Sequence, residues 1–284
     1  MTLAWRSLMF VPADAEGRIA KAHTRGADAI ILDLEDAVPI EGKAAARQGL
    51  VAAAATLAGQ GQDVLVRINA AWRLAHADLE VAVNPDVRAI VAPKVEDAGA
   101  LSVLSAMIGE WEAEQGLPVG KISLIALIES PLALSRLNEI AAVERVAGLA
   151  LGSEDFSAVL GAPPSPQSLD LPCRMIALVA AARGQMALGT PISLAAFREA
   201  DAYAEAARLG RAVGMTGALC IHPDQVAPLN AAFSPSEAEL AAARKITAAW
   251  AGRPPGAAVL SLDGKMIDPP VVLQAERTLA AARS

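Results

Sequence analysis

The chain has 284 residues, 54% hydrophobic and only 3% aromatic, so aliphatic side chains must build its core, and the length suits one (β/α)8 barrel with a short appendage. A net charge of -7 without any basic run excludes a nucleic-acid binder, because duplex affinity rests on phosphate-neutralising Lys and Arg. Cys173 and Cys220 are too few for a disulfide framework, and neither a basic leader nor an apolar run near the ~18 residues of a membrane span is present, so a soluble cytoplasmic protein is expected.

Eight short aliphatic runs alternate with Ala-rich helical stretches, at residues 7–11, 29–34, 64–68, 89–92, 122–128, 146–151, 185–188 and 217–221. Several are apolar at nearly every position, as strands buried on both faces are. An open doubly wound sheet alternates in the same way, and the count of eight favours a closed α/β barrel. After Phe233 the character changes. Ser234 or Ser236 caps a helix over residues 237–250, Arg253-Pro-Pro-Gly ends it, and a strand-like stretch at 257–262 precedes an Asp263-Gly turn. Met266-Ile-Asp-Pro-Pro then leads into a last helix. The expected organisation is a barrel catalytic domain over residues 1–235 and a C-terminal helix and lid segment over residues 236–284.

Barrel enzymes assemble their sites at the carboxyl ends of the strands, and polar residues gather there in this chain. Strand two ends Leu32-Asp33-Leu34-Glu35-Asp36, strand three Arg67-Ile-Asn69, strand four Pro93-Lys94, strand five Glu129-Ser130, and strand six Gly152-Ser153-Glu154-Asp155. Glu129 terminates the apolar run Leu124-Ile-Ala-Leu-Ile128, where a carboxylate is costly unless it meets a cation or donors. With Asp155 at the neighbouring strand end it forms an oxygen-only pair suited to Mg2+; the alternative is an ion pair with Arg67 or Lys94. Asp33, Glu35 and Asp36 read as supporting carboxylates, and Lys94 as their ion-pair partner ahead of a Schiff-base lysine. Arg67, with its planar fork, is the candidate grip for a substrate carboxylate, or else a structural partner of Glu35 or Asp36. Gly152-Ser153-Glu154 is a turn whose N–H groups suit an anion. With only His23, His76 and His222, a histidine zinc site is excluded; His222 either reaches the site or caps a turn.

The motifs Arg6-Ser-Leu-Met-Phe-Val-Pro-Ala13, Ile31-Leu-Asp-Leu-Glu-Asp-Ala-Val38, Arg67-Ile-Asn69, Ala92-Pro-Lys94, Ile128-Glu-Ser-Pro131, Gly152-Ser-Glu-Asp155 and Ile221-His-Pro-Asp-Gln-Val226 together resemble the citrate lyase β-subunit-like family, with its malyl-CoA and citramalyl-CoA lyase relatives. The resemblance implies a TIM barrel that assembles as a trimer or hexamer, uses Mg2+ and takes acyl-CoA and 2-oxo acid substrates. It implies Glu129 and Asp155 as metal ligands and Arg67 on the carboxylate of the 2-oxo acid, while the anion-binding turn makes Ser153 and Glu154 the substrate-binding candidates. It also implies Asp268, in a C-terminal lid, as the proton-transfer residue serving a neighbouring subunit. The expected activity is reversible Claisen or aldol cleavage of a 3-hydroxyacyl-CoA thioester to an acyl-CoA and a 2-oxo acid. Thioester hydrolysis on the same metal, and a citrate lyase-like subunit working on an acyl-carrier protein, are the alternatives. Ala13 in place of the usual Gly, and Gly189-Thr190-Pro191 after strand seven, depart from the family pattern at the substrate mouth.

Overall fold

The apolar runs fold as eight parallel strands in a computed structural model that describes residues 4 to 282. The strands are β1 (Ser7–Pro12), β2 (Ala29–Asp33), β3 (Asp63–Arg67), β4 (Val87–Ala92), β5 (Ser123–Ile128), β6 (Val146–Leu151), β7 (Met186–Leu188) and β8 (Ala218–Cys220). Each pairs with its sequence neighbour, and β1 pairs with β8. Between β7 and β8 a bridge from Leu188 to Gly217 and the Gly189 N–H on the Gly217 carbonyl, at 2.9 Å, complete a closed TIM barrel. Gly217 is required there because a Cβ would sit 2.1 Å from the Trp5 carbonyl oxygen.

The strands are separated by α1 (Glu16–Ala22), α2 (Lys43–Gly59), α3 (Trp72–Ala82), α4 (Ala98–Glu114), the short α5 (Pro131–Ser135) and α6 (Leu137–Ala141), α7 (Ser153–Leu160), α8 (Pro166–Arg183) and α9 (Ala200–Ala212). Side-chain caps start several of them: Asp97 accepts from Ala100 N for α4, Ser130 accepts from Ala133 N for α5, and a Ser165 capping box with Pro166 opens α8. Successive residues of a strand face opposite sides. One set, Leu8, Ala29, Ile31, Leu65, Ala89, Val91, Ile125, Leu127, Ala150, Met186, Leu188 and Leu219, fills the barrel interior as one cluster. Extending the same period of two past the last apolar residue brings Asp33, Arg67 and Glu129 to the inner face at the carboxyl rim.

The strand ends differ from the sequence expectation where side chains compete for the backbone. Gln185 turns its amide to the Ala141 and Val146 carbonyls, and β7 begins one residue later, at Met186. Gln225 Oε1 accepts from the N–H groups of Ile221 and His222, so β8 stops at Cys220.

The chain divides into two compact units between Ala231 and Ala232, with α10 (Val226–Phe233) crossing the division. In the second unit α11 (Glu237–Ala251), started by a capping box of Ser236 and Glu239, packs on α12 (Pro269–Ala281). Between them in sequence lies the antiparallel hairpin of β9 (Leu260–Leu262) and β10 (Lys265–Ile267), shorter than the 257–262 run. Its turn places Asp263 and Gly264 at φ 51° and 75°, as a two-residue hairpin turn of the mirror-image type demands. Asp268 is the N-cap of α12, its Oδ1 accepting from Val271 N at 3.2 Å.

Candidate active site

Arg67, at the end of β3, is gripped by the end of β2. Its Nε and Nη2 donate to the two oxygens of Asp33 at 2.7 and 2.6 Å, while Nη1 lies 2.9 Å from Glu35 Oε2. Its guanidinium also lies over the Phe10 ring, 4.7 Å from the centroid. Burial works against the charge of Arg67, but the Asp33 pairing, with Glu35 and Asp36 behind it, outweighs burial and raises its pKa further. Asp33 is itself held, accepting from the N–H groups of Glu35 and Ala37. Lys43, buried, donates to the Leu34 and Glu35 carbonyls, and Asn69 donates to the Leu34 carbonyl and to Asp78. The β2 rim is therefore a fixed frame for Arg67 rather than a mobile loop.

Glu129, 5% exposed, continues the inner face of β5. Its Oε2 accepts from the backbone N–H of Lys94 at 2.5 Å, a geometry reached because Lys94 sits at φ 51°. The Lys94 ammonium goes elsewhere, to Glu35 at 2.8 Å, a bond that raises the lysine's pKa. Among the described residues Glu129 has no salt-bridge partner. Burial first, then the charges of Glu35 and Asp155, push its carboxyl up to about 7, against the pull of the Lys94 N–H. Gly152 makes the seat: a Cβ there would lie 2.5 Å from Glu129 Cγ and 2.8 Å from Oε1.

Asp155 stands not at a strand end, as the sequence suggested, but in the first turn of α7. β6 ends at Leu151, and Gly152 hands the chain directly to the helix, where Glu154 and Asp155 meet the positive end of the helix dipole. Glu154 is exposed, and its Oε1 accepts from Ser193 Oγ at 2.7 Å and Leu194 N at 2.9 Å. Ser153 is buried, with its hydroxyl 3.3 Å from the same oxygen.

A cavity of about 840 Å3 opens above this frame. Asp33, Asp36, Arg67, Glu129, Ser153, Glu154 and Asp155 line it together, with Phe10, Leu127, Leu194 and Leu219 as its apolar wall. Glu35 and Lys94 support the floor from behind through Arg67 and Glu129. His222 also lines the cavity, and its Nδ1 accepts from Asp224 N, so it both reaches the site and caps a turn. Arg18, Lys21 and Arg25, along α1 and the turn after it, line the outer wall. All three are exposed and make no ion pair among the described residues. They were missed in the sequence reading, although their spacing of three and four residues is a helix face. Asp268 belongs to the second unit, on the cap of α12.

The donor chemistry fits a hard divalent cation. Five carboxylates, Asp33, Glu35, Asp36, Glu129 and Asp155, face two cations, Arg67 and Lys94. Asp33 is committed to Arg67, Glu35 to Lys94 and Arg67, and Asp36 lies 3.5 Å from Lys94 and 3.8 Å from Arg67, which leaves Glu129 and Asp155 as the two carboxylates that lack a cation partner among the described residues and could hold the ion. No group of three His, Cys, Asp or Glu placed to hold a metal ion is found among the described residues, so waters or substrate oxygens would complete the shell, as is common for Mg2+.

A closed eight-stranded barrel with a carboxylate-lined mouth, fixed by Arg67 and backed by cations, defines a class of barrel rather than one protein. The chain belongs to the HpcH/HpaI aldolase/citrate lyase family, whose model matches residues 6–223. Membership places it among enzymes that make or break carbon–carbon bonds. It is 31% identical over 282 residues to a citrate lyase subunit beta of Leuconostoc mesenteroides subsp. cremoris, covering 98% of this chain and 93% of that protein. It is 31% identical over 284 residues to a (3S)-malyl-CoA thioesterase of Cereibacter sphaeroides, covering 99% and 95%. The crystal structure of protein CitE from Mycobacterium tuberculosis, in complex with magnesium, acetoacetate and coenzyme A, superposes with a TM-score of 0.76 at 30% identity, over 100% of both chains. Among the described residues no helix is long and apolar enough to cross a membrane.

Proposed function

We propose that this chain is a Mg2+-dependent lyase that cleaves a 3-hydroxyacyl-CoA thioester of the malyl, citramalyl or citryl type into an acyl-CoA and a 2-oxo acid, and runs the condensation in reverse. One observation carries the reading: a single cavity has Glu129, Asp155 and Arg67 on its floor and Arg18, Lys21 and Arg25 on its outer wall. The floor suits a carboxylate next to a metal-bound oxygen, and the wall suits the phosphates of a nucleotide thioester. Magnesium complexes of the CitE relative support the choice of cation.

Glu129 and Asp155 would hold Mg2+, which when bound would polarise the oxo group as a Lewis acid. Arg67 binds the substrate carboxylate with the N–H groups that Asp33 and Glu35 leave free, and the Asp33 fork keeps its plane fixed. The Lys94 N–H holds Glu129 Oε2 and so aims the other oxygen at the cavity. In the cleavage direction a base takes the 3-hydroxyl proton, the C2–C3 bond breaks, and its electron pair passes to the thioester as an enolate. That enolate takes a proton at C2 to give the acyl-CoA, and the former C3 leaves as the 2-oxo acid. Asp268 is the proposed base, contributed by a neighbouring copy in a trimer or hexamer; residues 1–235 are the barrel catalytic domain and residues 236–284 the C-terminal helix and lid segment.

Hydrolysis of the thioester is the second reading, favoured by the (3S)-malyl-CoA thioesterase relatives. Incubating malyl-, methylmalyl- and citramalyl-CoA with the protein and Mg2+ separates the two. The lyase yields 2-oxo acid and acyl-CoA, and hydrolysis yields free CoA. Inactivity toward all three with Mg2+ bound would sink both and favour a subunit acting on an acyl-carrier protein.

A further inference from the structure

The segment between β7 and α9 is pinned on both sides of one residue. Leu194 N donates to Glu154 Oε1 at 2.9 Å, Ser193 Oγ donates to the same oxygen at 2.7 Å, and Gln225 Nε2 donates to the Leu194 carbonyl at 2.9 Å. Gln225 is 1% exposed and is fixed in turn by the N–H groups of Ile221 and His222. The backbone of Leu194 is thus strapped between the first turn of α7 and the end of β8. Its side chain packs on the barrel cluster that contains Leu127 and Leu219. Phe10, under the Arg67 guanidinium, packs on the same cluster. All four side chains line the cavity.

We propose that Leu194 is the specificity-determining side chain of the site: with Phe10, Leu127 and Leu219 it forms an apolar compartment that takes the third substituent of the 2-oxo acid. The inference rests on the reading of the site as a 2-oxo acid site. The carboxylate goes to Arg67 and the oxo group to the Glu129 and Asp155 side, so the remaining substituent meets the aliphatic wall. A hydrogen or methyl fits there. A second carboxylate would lose its water against Leu194, Phe10, Leu127 and Leu219, whose side chains offer no donor to replace it. Glu154 then acts as a positioning residue, holding Leu194 through its backbone N–H.

The test is calorimetric titration of the Mg2+-saturated protein with glyoxylate, pyruvate, 2-oxobutyrate and oxaloacetate. Wild type should bind glyoxylate and pyruvate at least about tenfold more tightly than the other two, the scale on which one methylene or an unpaired polar group discriminates. Leu194→Ala should close the gap for 2-oxobutyrate by roughly tenfold, with little change for glyoxylate. Glu154→Ala should blur the ranking in the same direction, and Glu154→Gln, which keeps an oxygen acceptor for Leu194 N, should restore it. An unchanged ranking in Leu194→Ala, or oxaloacetate bound by wild type as tightly as pyruvate, overturns the assignment. Failure of wild type to bind any of the four acids while Mg2+ still binds overturns the 2-oxo acid reading itself, and the inference with it.

Discussion

Replacing Gly152 with alanine drives a methyl group into the side chain of Glu129. Gly152 sits at φ -87° and ψ 88°, which an L residue adopts without strain, so the effect lies in the added methyl. That Cβ would stand 2.5 Å from Glu129 Cγ and 3.1 Å from Cδ, where unbonded carbons rest at about 3.5–4.0 Å. The glutamate stem must retreat by about 1 Å while the Lys94 N–H still holds Oε2. Mg2+ accepts ligand oxygens only near 2.0–2.1 Å, so a retreat of that size forfeits the bond, and Mg2+ affinity should drop at least about tenfold. Overpacking of this kind costs roughly 1–3 kcal/mol, or about 2–10 °C in Tm. Titration calorimetry and a thermal scan read the two effects separately. Unchanged Mg2+ affinity in Gly152→Ala would refute Glu129 as a ligand seated on Gly152, whatever the Tm does.

Three other perturbations separate parts of the account. The Glu129 carboxyl, raised to about 7 from an ordinary 4.5, binds its proton more tightly in the folded state. Its contribution to stability is therefore complete below about pH 4.5 and lost as pH rises through 7, at most about 3 kcal/mol. In EDTA the Tm should fall between pH 5.5 and 8 more in wild type than in Glu129→Gln, and Mg2+ should cancel the difference; identical profiles would contradict this. Glu112, fully buried, accepts from Gly120 N, Ile122 N and Arg145, so Glu112→Ala leaves an uncompensated buried arginine. A loss of roughly 3–5 kcal/mol, visible in denaturant titration, is expected, with kcat below the transition within about twofold of wild type. Asp268→Ala should lower kcat by about 100-fold or more. If Asp268 serves another copy, mixing it with inactive Arg67→Ala restores activity through sites that combine both intact residues, whereas a site served in cis gains nothing on mixing.

The barrel was legible because its strands are buried on both faces, so runs such as Leu124-Ile-Ala-Leu-Ile128 read as unbroken apolar sequence ending in a charge. Arg67, Glu129 and Asp33 could be placed for the same reason, by continuing the period of two beyond the last aliphatic residue. Arg67 is an ion-pair partner, held by Asp33 and Glu35, and it also lines the cavity; its grip on a substrate carboxylate is part of the proposal. Asp155 was assigned to a strand end because Gly152-Ser153-Glu154 was read as a turn and not as the start of α7; the glycine answers to the Glu129 side chain, 23 residues earlier. Arg18, Lys21 and Arg25 lie among residues whose helical face was not read for charge. Leu194 carries no periodic signal at all, because its position is set by Glu154 and Gln225, both more than 30 residues away.

The most direct test of carbon–carbon cleavage at this site is the reaction of malyl- or citramalyl-CoA in D2O with Mg2+, followed by mass spectrometry of every CoA species. The lyase mechanism predicts an acyl-CoA carrying one deuterium at C2 and an equal amount of 2-oxo acid, both abolished in Glu129→Gln. Free CoA together with an undivided hydroxy acid would contradict it.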